Sequence, residues 1–305
     1  MTSGVEQAGA LAMAELKLRQ SSPTLPMFGA LRTVLDAARE PGGREVPTDV
    51  VIGPVEGVSA GRLADVIVPA AIAAKRALRI EVRGATHGHD APAFPFFRYA
   101  LQRALGRLGF DIGFELSRAD FGEAGRLFVH TRPRVRKSHW AWGHPGRFVS
   151  LRCEILIGRQ PLDVAQTQLR VLREHLHSAG WPLPAVTVRE ADDTTTPGNA
   201  VTVRAICTAG EAVFTAVAAE GDDPSDVAAQ AASRAMGWLT SGTGVQRRLA
   251  RRLVVPMALA SGGRFISDGR DDPHLLRLVD TVTAAPNVAC RLTRHRGRLL
   301  VEMTR

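Results

Sequence analysis

The sequence predicts a mixed α/β fold in which small sheets are covered by helices. Segments rich in β-branched residues alternate with segments of helical period, and glycine and proline separate them. Hydrophobic residues make up 45% of the 305 residues and charged residues 23%, which excludes a disordered chain. No apolar stretch approaches the roughly 20 residues that span a bilayer, so no membrane contact is expected.

Each predicted element is bounded by residues that break regular structure. The opening helix ends at the stretch 21–26, the second at Pro41-Gly42-Gly43, and the second strand at Gly84. Pro224 and Asp226 favour a helix start where they stand. The predicted helices are Met1–Gln20, Met27–Arg39, Ala60–Ala77, Phe96–Leu108, Asp163–Ala179, Pro224–Ser241, Val245–Ala260 and Pro273–Thr283. The predicted strands are Val50–Ile52, Leu78–Val82, Phe110–Leu116, Leu127–Thr131, Phe148–Ile157, Val186–Arg189, Val201–Ile206, Ala212–Ala218, Phe265–Ser267, Ala289–Thr293 and Leu299–Glu302.

The charge of the chain indicates a polyanionic partner. The formal net charge is +9, and among the 39 basic residues only Lys17, Lys75 and Lys137 are lysines. Arginine binds phosphate through paired hydrogen bonds, so nucleic acid or a nucleotide is the expected class of partner. A GC-rich genome would explain the preference for arginine but not the surplus of positive charge.

Cysteine usage and the first residues predict a cytoplasmic protein. Cys153, Cys207 and Cys290 lie far apart, which excludes the usual cysteine-rich zinc patterns and argues against a disulfide framework. The segment Met1–Lys17 has neither a basic start nor a continuous apolar run, so it does not resemble a signal peptide. The sequence leaves the oligomeric state open.

Four segments, taken together and in order, resemble the RNA 3'-terminal phosphate cyclase family. They are similar to its L-P-A helix and glycine-threonine turn, its R-G-E-V-L strand, its G-P-G-N turn and its L-P-x-A-L-A helix. The segments are Ile67-Val68-Pro69-Ala70 with Arg83-Gly84-Ala85-Thr86-His87, Arg152-Cys153-Glu154-Ile155-Leu156, Pro197-Gly198-Asn199, and Val254-Val255-Pro256-Met257-Ala258-Leu259-Ala260 with Pro273-His274-Leu275-Leu276. The resemblance runs from about Asp65 to the C-terminus, and residues 1–43 contain no match to the family's glycine-rich E-G-G-G-Q-I-L-R segment.

The resemblance implies a fold of repeated sheet-and-helix units with a smaller inserted α/β domain. It places the first part of the core at residues 1–146, with an incomplete first repeat. The insert domain is expected at residues 147–242, and the core is expected to return at residues 243–305.

The resemblance places His274 at the position of the family's nucleophile. In the family reaction a histidine takes AMP from ATP, AMP passes to an RNA 3'-phosphate, and the 2'-hydroxyl closes a 2',3'-cyclic phosphate. Neutral imidazole is nucleophilic near pH 7, and a divalent metal (Mg²⁺ or Mn²⁺) would help pyrophosphate leave. ATP and an RNA 3' end are therefore the implied partners. Without the resemblance, His274 would be interpreted as a surface histidine at a helix start.

Nucleotide or phosphate binding is predicted for Arg248, Arg251, Arg252 and Asp65. The three arginines stand where the family has Y-L-A-D-Q, and Asp65 stands where it has a glutamine. Arg247-Arg248 and Arg251-Arg252 recur at a spacing of four, so they share one side of a helix. Two interpretations stay open, a solvated basic face and a phosphate-binding wall of the nucleotide pocket.

A basic, aromatic stretch predicts an RNA contact. Aromatic rings can stack on exposed bases while cations bind phosphates. The predicted RNA-binding residues are Arg132, Arg134, Arg136, Lys137 and Trp140. The alternative is a loop between strands with Trp140 and Trp142 buried.

The loop His87–Pro95 contains His87-x-His89-Asp90, a pattern similar to a metal-ligand cluster. Two histidines one residue apart share a face only in a strand, whereas this segment is a loop. The preferred interpretation is that the loop forms part of the cleft, as it does in the family, and no metal-ligating residue is predicted.

Two classes of function follow for the whole chain. His274 favours an ATP-dependent cyclase or a close nucleotidyl-transfer relative. The replaced glycine-rich and Asp-Gln residues favour a catalytically degenerate RNA-binding or scaffold protein. A small-molecule enzyme on a related fold is a third possibility and predicts no affinity for RNA ends.

Overall fold

The computed structural model describes residues 25–39, 45–89, 91–135, 138–191, 193–269, 271–285, 287–295 and 297–304. Helices and strands alternate within them, and the predicted mixed α/β class is confirmed. The predicted helix Met1–Gln20 lies outside the described residues. In the part of the chain that is described, every helix is too short or too polar to cross a lipid bilayer.

The helices and strands follow in the predicted order, with one additional short strand. The helices are α1 Leu25–Ala37, α2 Ala60–Ala73, α3 Gln102–Arg107 (preceded by the π-helical turn Phe96–Leu101), α4 Leu162–Ser178, α5 Pro224–Ser241, α6 Arg247–Leu259 and α7 Pro273–Thr283. The strands are β1 Thr48–Ile52, β2 Leu78–Arg83, β3 Phe110–Arg118, β4 Arg126–Val135, β5 Trp140–Trp142, β6 Phe148–Gly158, β7 Ala185–Glu190, β8 Gly198–Cys207, β9 Glu211–Val217, β10 Gly263–Ser267, β11 Ala289–His295 and β12 Arg298–Thr304.

The described residues form three sheets, and two of these share one topology. The first has the order β1-β2-β4-β3 and the second the order β5-β10-β12-β11. In each, the first two strands are parallel and the others are antiparallel neighbours. Helices α2 and α6 occupy corresponding places in these two units, and each contains an internal proline, Pro69 and Pro256. The two units share one apolar core, in which α2 and α6 contact one another.

The third sheet, β7-β6-β8-β9, has an apolar core of its own. Helices α4 and α5 pack against it, and Trp238 of α5 is fully buried there. This sheet lies in the segment predicted as an insert, which agrees with the predicted fold. The domain boundaries and the incomplete first repeat stay predictions.

Polar contacts hold the third sheet against the core. The Arg204 guanidinium stacks over the Tyr99 ring at 3.5 Å. Glu211, which is 5% exposed, accepts hydrogen bonds from Arg204 and from Arg103 of α3. A buried carboxylate paired with arginines from both layers helps to fix the relative position of the layers. They place β9 and α5 beside α2 and α6, where a cavity forms.

Strand β5 corrects the prediction that Trp140 stacks on RNA. Trp140 and Trp142 are 8% and 4% exposed, and β5 pairs with β10 in parallel. A Cβ atom on Gly210 would lie 1.8 Å from the Trp142 ring, so that ring fills its site completely. Trp140, at 8% exposure, likewise presents too little of its ring to solvent to stack on a base. The alternative with two buried tryptophans describes this segment.

Candidate active-site cavity

One cavity of about 660 Å³ brings together residues from six parts of the chain. His274, Asp65 and all three arginines predicted to bind a nucleotide line it. Its volume is in the range of small-molecule sites. Arg247, from the repeated arginine pairs, also lines the cavity, as do polar residues that the sequence analysis did not single out, Arg62, Arg234, Trp238, Gln246 and Asp268.

His274 is positioned by the cap of helix α7. Asp272 precedes Pro273, and its Oδ1 accepts hydrogen bonds from the backbone N–H groups of His274 and Leu275, both at 3.1 Å. Its Oδ2 accepts from Nε of Arg251 at 2.8 Å, and the Asp272 side chain is 0% exposed. One carboxylate therefore caps α7, ties it to α6 and holds the half-buried His274 at the cavity.

The surroundings of the His274 ring bear on its tautomer. Nδ1 lies 3.3 Å from Nη2 of Arg277, a group that can only donate. In this arrangement a neutral ring keeps the lone pair on Nδ1 and the hydrogen on Nε2. Because Arg277 is exposed, its contact can open, and either nitrogen can then present a lone pair.

Arg252 forms a bidentate ion pair with Asp65. Its Nε and Nη2 donate to the two carboxylate oxygens, each at 2.5 Å, and the side chains are 12% and 13% exposed. The pair joins equivalent positions of the two repeated units, because each residue stands four places before the internal proline of its helix. Arg251 and Arg252, which replace acidic and amide residues of the family, thus contact carboxylates of their own chain.

Arg248 experiences a different environment. It is solvent-accessible, but the cavity walls remove much of the water around its guanidinium, and this loss of hydration is the main cause that lowers its pKa to about 10. Repulsion from Arg252, Arg234 and Arg251 lowers the pKa further, while Asp65 opposes the shift. Arg248 remains a cation at neutral pH.

Three buried polar atoms in the lining side chains have no hydrogen-bond partner among the described residues. They are Trp238 Nε1, Gln246 Nε2 and Asp268 Oδ1. Burial also raises the pKa of Asp268, against the effect of hydrogen bonding and of Arg247. Their sequence positions carry no local signal of a site, since each reaches the cavity from a different element.

Of the other predicted RNA-binding residues, the structure describes only the side chain of Arg132, which does not line the cavity. Arg132 is exposed on β4, and the side chain of Arg134 and residues Arg136 and Lys137 lie outside what the structure describes. RNA binding through these residues stays a prediction.

The loop after β2 contributes to the cavity through Ala91 and Pro92. His87 is 2% exposed, and its Nδ1 lies 3.1 Å from Oγ1 of Thr86. Desolvation lowers the pKa of His87 to about 4. Across the described residues no three His, Cys, Asp or Glu side chains are grouped as metal ligands, and Asp90 is not among those residues.

Comparison with known proteins gives a consistent result. The sequence model of the family "RNA 3'-terminal phosphate cyclase" matches residues 37–291. The RNA 3'-terminal phosphate cyclase of Pseudomonas aeruginosa (strain LESB58) is 32% identical over 202 residues, which cover 65% of this chain and 58% of that protein. The chain thus spans little more than half the length of that relative. The proteins of the same name from Ectopseudomonas mendocina (strain ymp) and Salmonella paratyphi C (strain RKS4594) are 30% and 27% identical, over 77% and 78% of this chain and 68% of each relative.

Proposed function

The chain belongs to the RNA 3'-terminal phosphate cyclase family, and we propose that it converts RNA 3'-phosphates to 2',3'-cyclic phosphates at the expense of ATP. A histidine–AMP intermediate on His274 carries the reaction. The observation that supports this is the cavity, which brings His274 together with Asp65, Arg248, Arg251 and Arg252. ATP and an RNA 3' end as partners, and a cytoplasmic location, belong to the same proposal.

Three transfers at phosphorus make up the proposed reaction. A ring nitrogen of His274 attacks the α-phosphorus of ATP, the bond to the β-phosphate oxygen breaks, and pyrophosphate leaves with the electron pair. An RNA 3'-phosphate oxygen then attacks the same phosphorus, and imidazole leaves. Finally the 2'-hydroxyl oxygen attacks the 3'-phosphorus and loses its proton, and AMP leaves from the cyclic phosphate.

The residues around His274 have defined roles in this scheme. Asp272 holds the backbone of His274 in place through the helix cap, and Arg251 fixes Asp272 in turn. The N-terminus of α7 carries the positive end of its dipole, which favours an anionic phosphate near His274.

A divalent metal would need an available carboxylate in the cavity. Both oxygens of Asp65 already accept from Arg252, whereas Oδ1 of Asp268 has no partner in the described part of the chain. Mg²⁺ typically takes one or two carboxylates and completes its shell with phosphate oxygens and water. Asp268 therefore fits as the protein ligand of Mg²⁺ or Mn²⁺, which when bound would neutralise charge on the leaving pyrophosphate.

Incubation with ATP labelled at the α-phosphate tests the proposal. With Mg²⁺ or Mn²⁺, we expect covalent label on the wild-type chain and on His177→Ala, a control at an exposed histidine of α4. We expect at least a 100-fold loss of label in His274→Ala, since no other group would replace the nucleophile. Equal labelling of His274→Ala, or none on any of the three, would refute the mechanism.

A catalytically degenerate RNA-binding protein is the second candidate. It is favoured by the ion pairs of Arg251 and Arg252, because neither arginine can accept a hydrogen bond from a base or ribose. This candidate predicts RNA binding without any covalent label.

A further inference from the structure

One wall of the cavity is built from hydrogen-bond donors on two helices of different layers. Arg234 and Trp238 come from α5, which packs on the third sheet, and Arg248 comes from α6 of the central core. Gln246, the residue that precedes α6, lies with them. We refer to Arg234, Trp238, Gln246 and Arg248 as the α5–α6 wall.

Two members of the α5–α6 wall are buried and unpartnered. Trp238 is 1% exposed and Gln246 is 3% exposed, and Trp238 Nε1 and Gln246 Nε2 have no acceptor among the described residues. An unpaired buried donor costs roughly 1–3 kcal/mol, so a ligand that accepted hydrogen bonds from these two donors would stabilise the folded chain.

The two arginines of the wall differ from Arg251 and Arg252 in their charged partners among the described residues. Within the described residues, neither Arg234 nor Arg248 has a carboxylate within 4.0 Å, whereas Arg251 and Arg252 each do. One N–H of Arg234 reaches the carbonyl oxygen of Thr215 at 3.4 Å. Arg234 and Arg248 repel one another, and this repulsion contributes to the lowered pKa of Arg248. An anion between them would remove that penalty.

We propose that the α5–α6 wall is a second phosphate subsite, which binds a phosphate group of the substrate other than the one that reacts at His274. Guanidinium, indole and amide N–H groups are all donors, and phosphate oxygens only accept. Two arginines that line one cavity and repel one another suit a doubly charged phosphate better than a neutral base. The inference rests on the proposed function for the identity of the substrate, but not for the binding itself.

Two sources could supply this phosphate. The first is the terminal part of the nucleotide triphosphate, and the second is a backbone phosphate near the RNA 3' end. Inorganic tripolyphosphate reproduces the first source without a base. A short oligoribonucleotide with a 3'-phosphate reproduces the second.

The subsite is tested by titration calorimetry, which measures the affinity of each probe for the wild-type chain and its variants. The variants are Arg234→Gln, Arg248→Gln and the control Arg173→Gln. Arg173 is an exposed residue of α4 outside the cavity lining, so its substitution removes the same charge without touching the wall. For one of the two probes, we expect about tenfold weaker binding in each wall variant and less than twofold change in the control. The probe affected identifies the source. Circular dichroism spectra and melting temperatures of all variants show whether they are folded.

Binding and labelling depend on different groups of the cavity, so their failures can be told apart. If both wall variants bind both probes as tightly as Arg173→Gln does, the subsite is refuted, even where His274 becomes labelled. If the wall variants lose affinity while no chain is labelled, the subsite stands and the proposed covalent chemistry fails. Affinity lost equally in all three variants would indicate general charge attraction and would also overturn the proposal.

Discussion

The cavity and the junction around Asp120 are both polar, but they differ in how their polar groups are satisfied. Asp120 is 0% exposed, and its carboxylate accepts from the backbone N–H groups of Gly122 at 2.6 Å and Thr195 at 2.8 Å. It also accepts from the Thr195 hydroxyl at 3.2 Å. In the α5–α6 wall, Trp238 Nε1 and Gln246 Nε2 have no such partners among the described residues.

The difference separates a structural role from a binding role. The Asp120 junction joins the loop after β3 to the loop before β8, and Thr86 donates its backbone N–H to the Asp120 carbonyl at 3.0 Å. A satisfied buried network specifies one arrangement of the chain. A cavity wall with unsatisfied donors is less stable alone and gains stability when a ligand binds. The two regions should therefore respond to substitution in opposite ways.

The largest effect is expected at the junction. Asp120→Ala removes the charged acceptor of the Gly122 and Thr195 N–H groups. Because hydrogen bonds to a charged group contribute about 1.5–3 kcal/mol each, the free energy of unfolding should fall by about 3–5 kcal/mol. Urea denaturation followed by circular dichroism measures it. Asp120→Asn, which keeps one acceptor oxygen, should lose less, and the exposed control Asp111→Ala should change little. A loss below about 1 kcal/mol in Asp120→Ala would remove the contrast between the two regions.

His87, beside the same junction, should make the fold sensitive to acid. Burial, and to a smaller extent Arg189, lowers the pKa of His87 to about 4 from its ordinary value of 6.5. Below pH 6.5 the unfolded chain binds a proton that the folded chain does not, so stability falls as the pH decreases towards 4. The expected loss over that interval is roughly 3 kcal/mol.

This pH dependence can be checked by measuring the free energy of unfolding of the wild type and of His87→Gln at several pH values between 7 and 4. The variant should be less stable at pH 7, because the buried ring is lost, but should lose less stability on acidification. The exposed His177→Gln should follow the wild type. Parallel slopes in His87→Gln and the wild type would show that other groups cause the acid sensitivity.

The smallest effect is expected in the cavity, with the opposite sign. Arg248→Gln removes the repulsion from Arg252, Arg234 and Arg251, so the ligand-free protein should become slightly more stable. The gain should be below about 1 kcal/mol, because Arg248 is accessible to solvent and screening weakens the repulsion. The change in stability is measured from the melting temperatures of the wild type and of Arg248→Gln, each without ligand and with excess tripolyphosphate. A variant destabilised without ligand would indicate that Arg248 has a structural role.

The sequence was sufficient for most elements, and several residues that it predicted for the site line one cavity in the structure. Apolar residues that recur every two positions predicted the strands, and those that recur every 3.6 positions predicted the helices, because one face of each element is buried. Strand β5 was missed because its three residues are embedded among basic residues, and only pairing with β10 defines them. Periodicity did not point to the predicted site residues. The resemblance of whole segments to a family singled out His274, Asp65 and the α6 arginines.

The partners of those residues could not be predicted, because they come from distant parts of the chain. Asp65 and Arg252 are 187 positions apart, and Arg251 and Asp272 are 21 apart. Whether an arginine meets a carboxylate or remains available to an anion depends on which helices pack together. The same packing brings Arg234 to the cavity from α5, the helix that packs on the third sheet.

By itself, then, the sequence determined the α/β class, the order of the elements, the surplus of positive charge and the family to which the chain belongs. Only the tertiary structure decided that Arg251 and Arg252 are matched by carboxylates while Arg234 and Arg248 are not, in the described residues. The physical reason is that local patterns reflect burial, which depends on neighbours in the chain. Charge pairing depends on distances of a few ångströms between helices that the chain connects only indirectly.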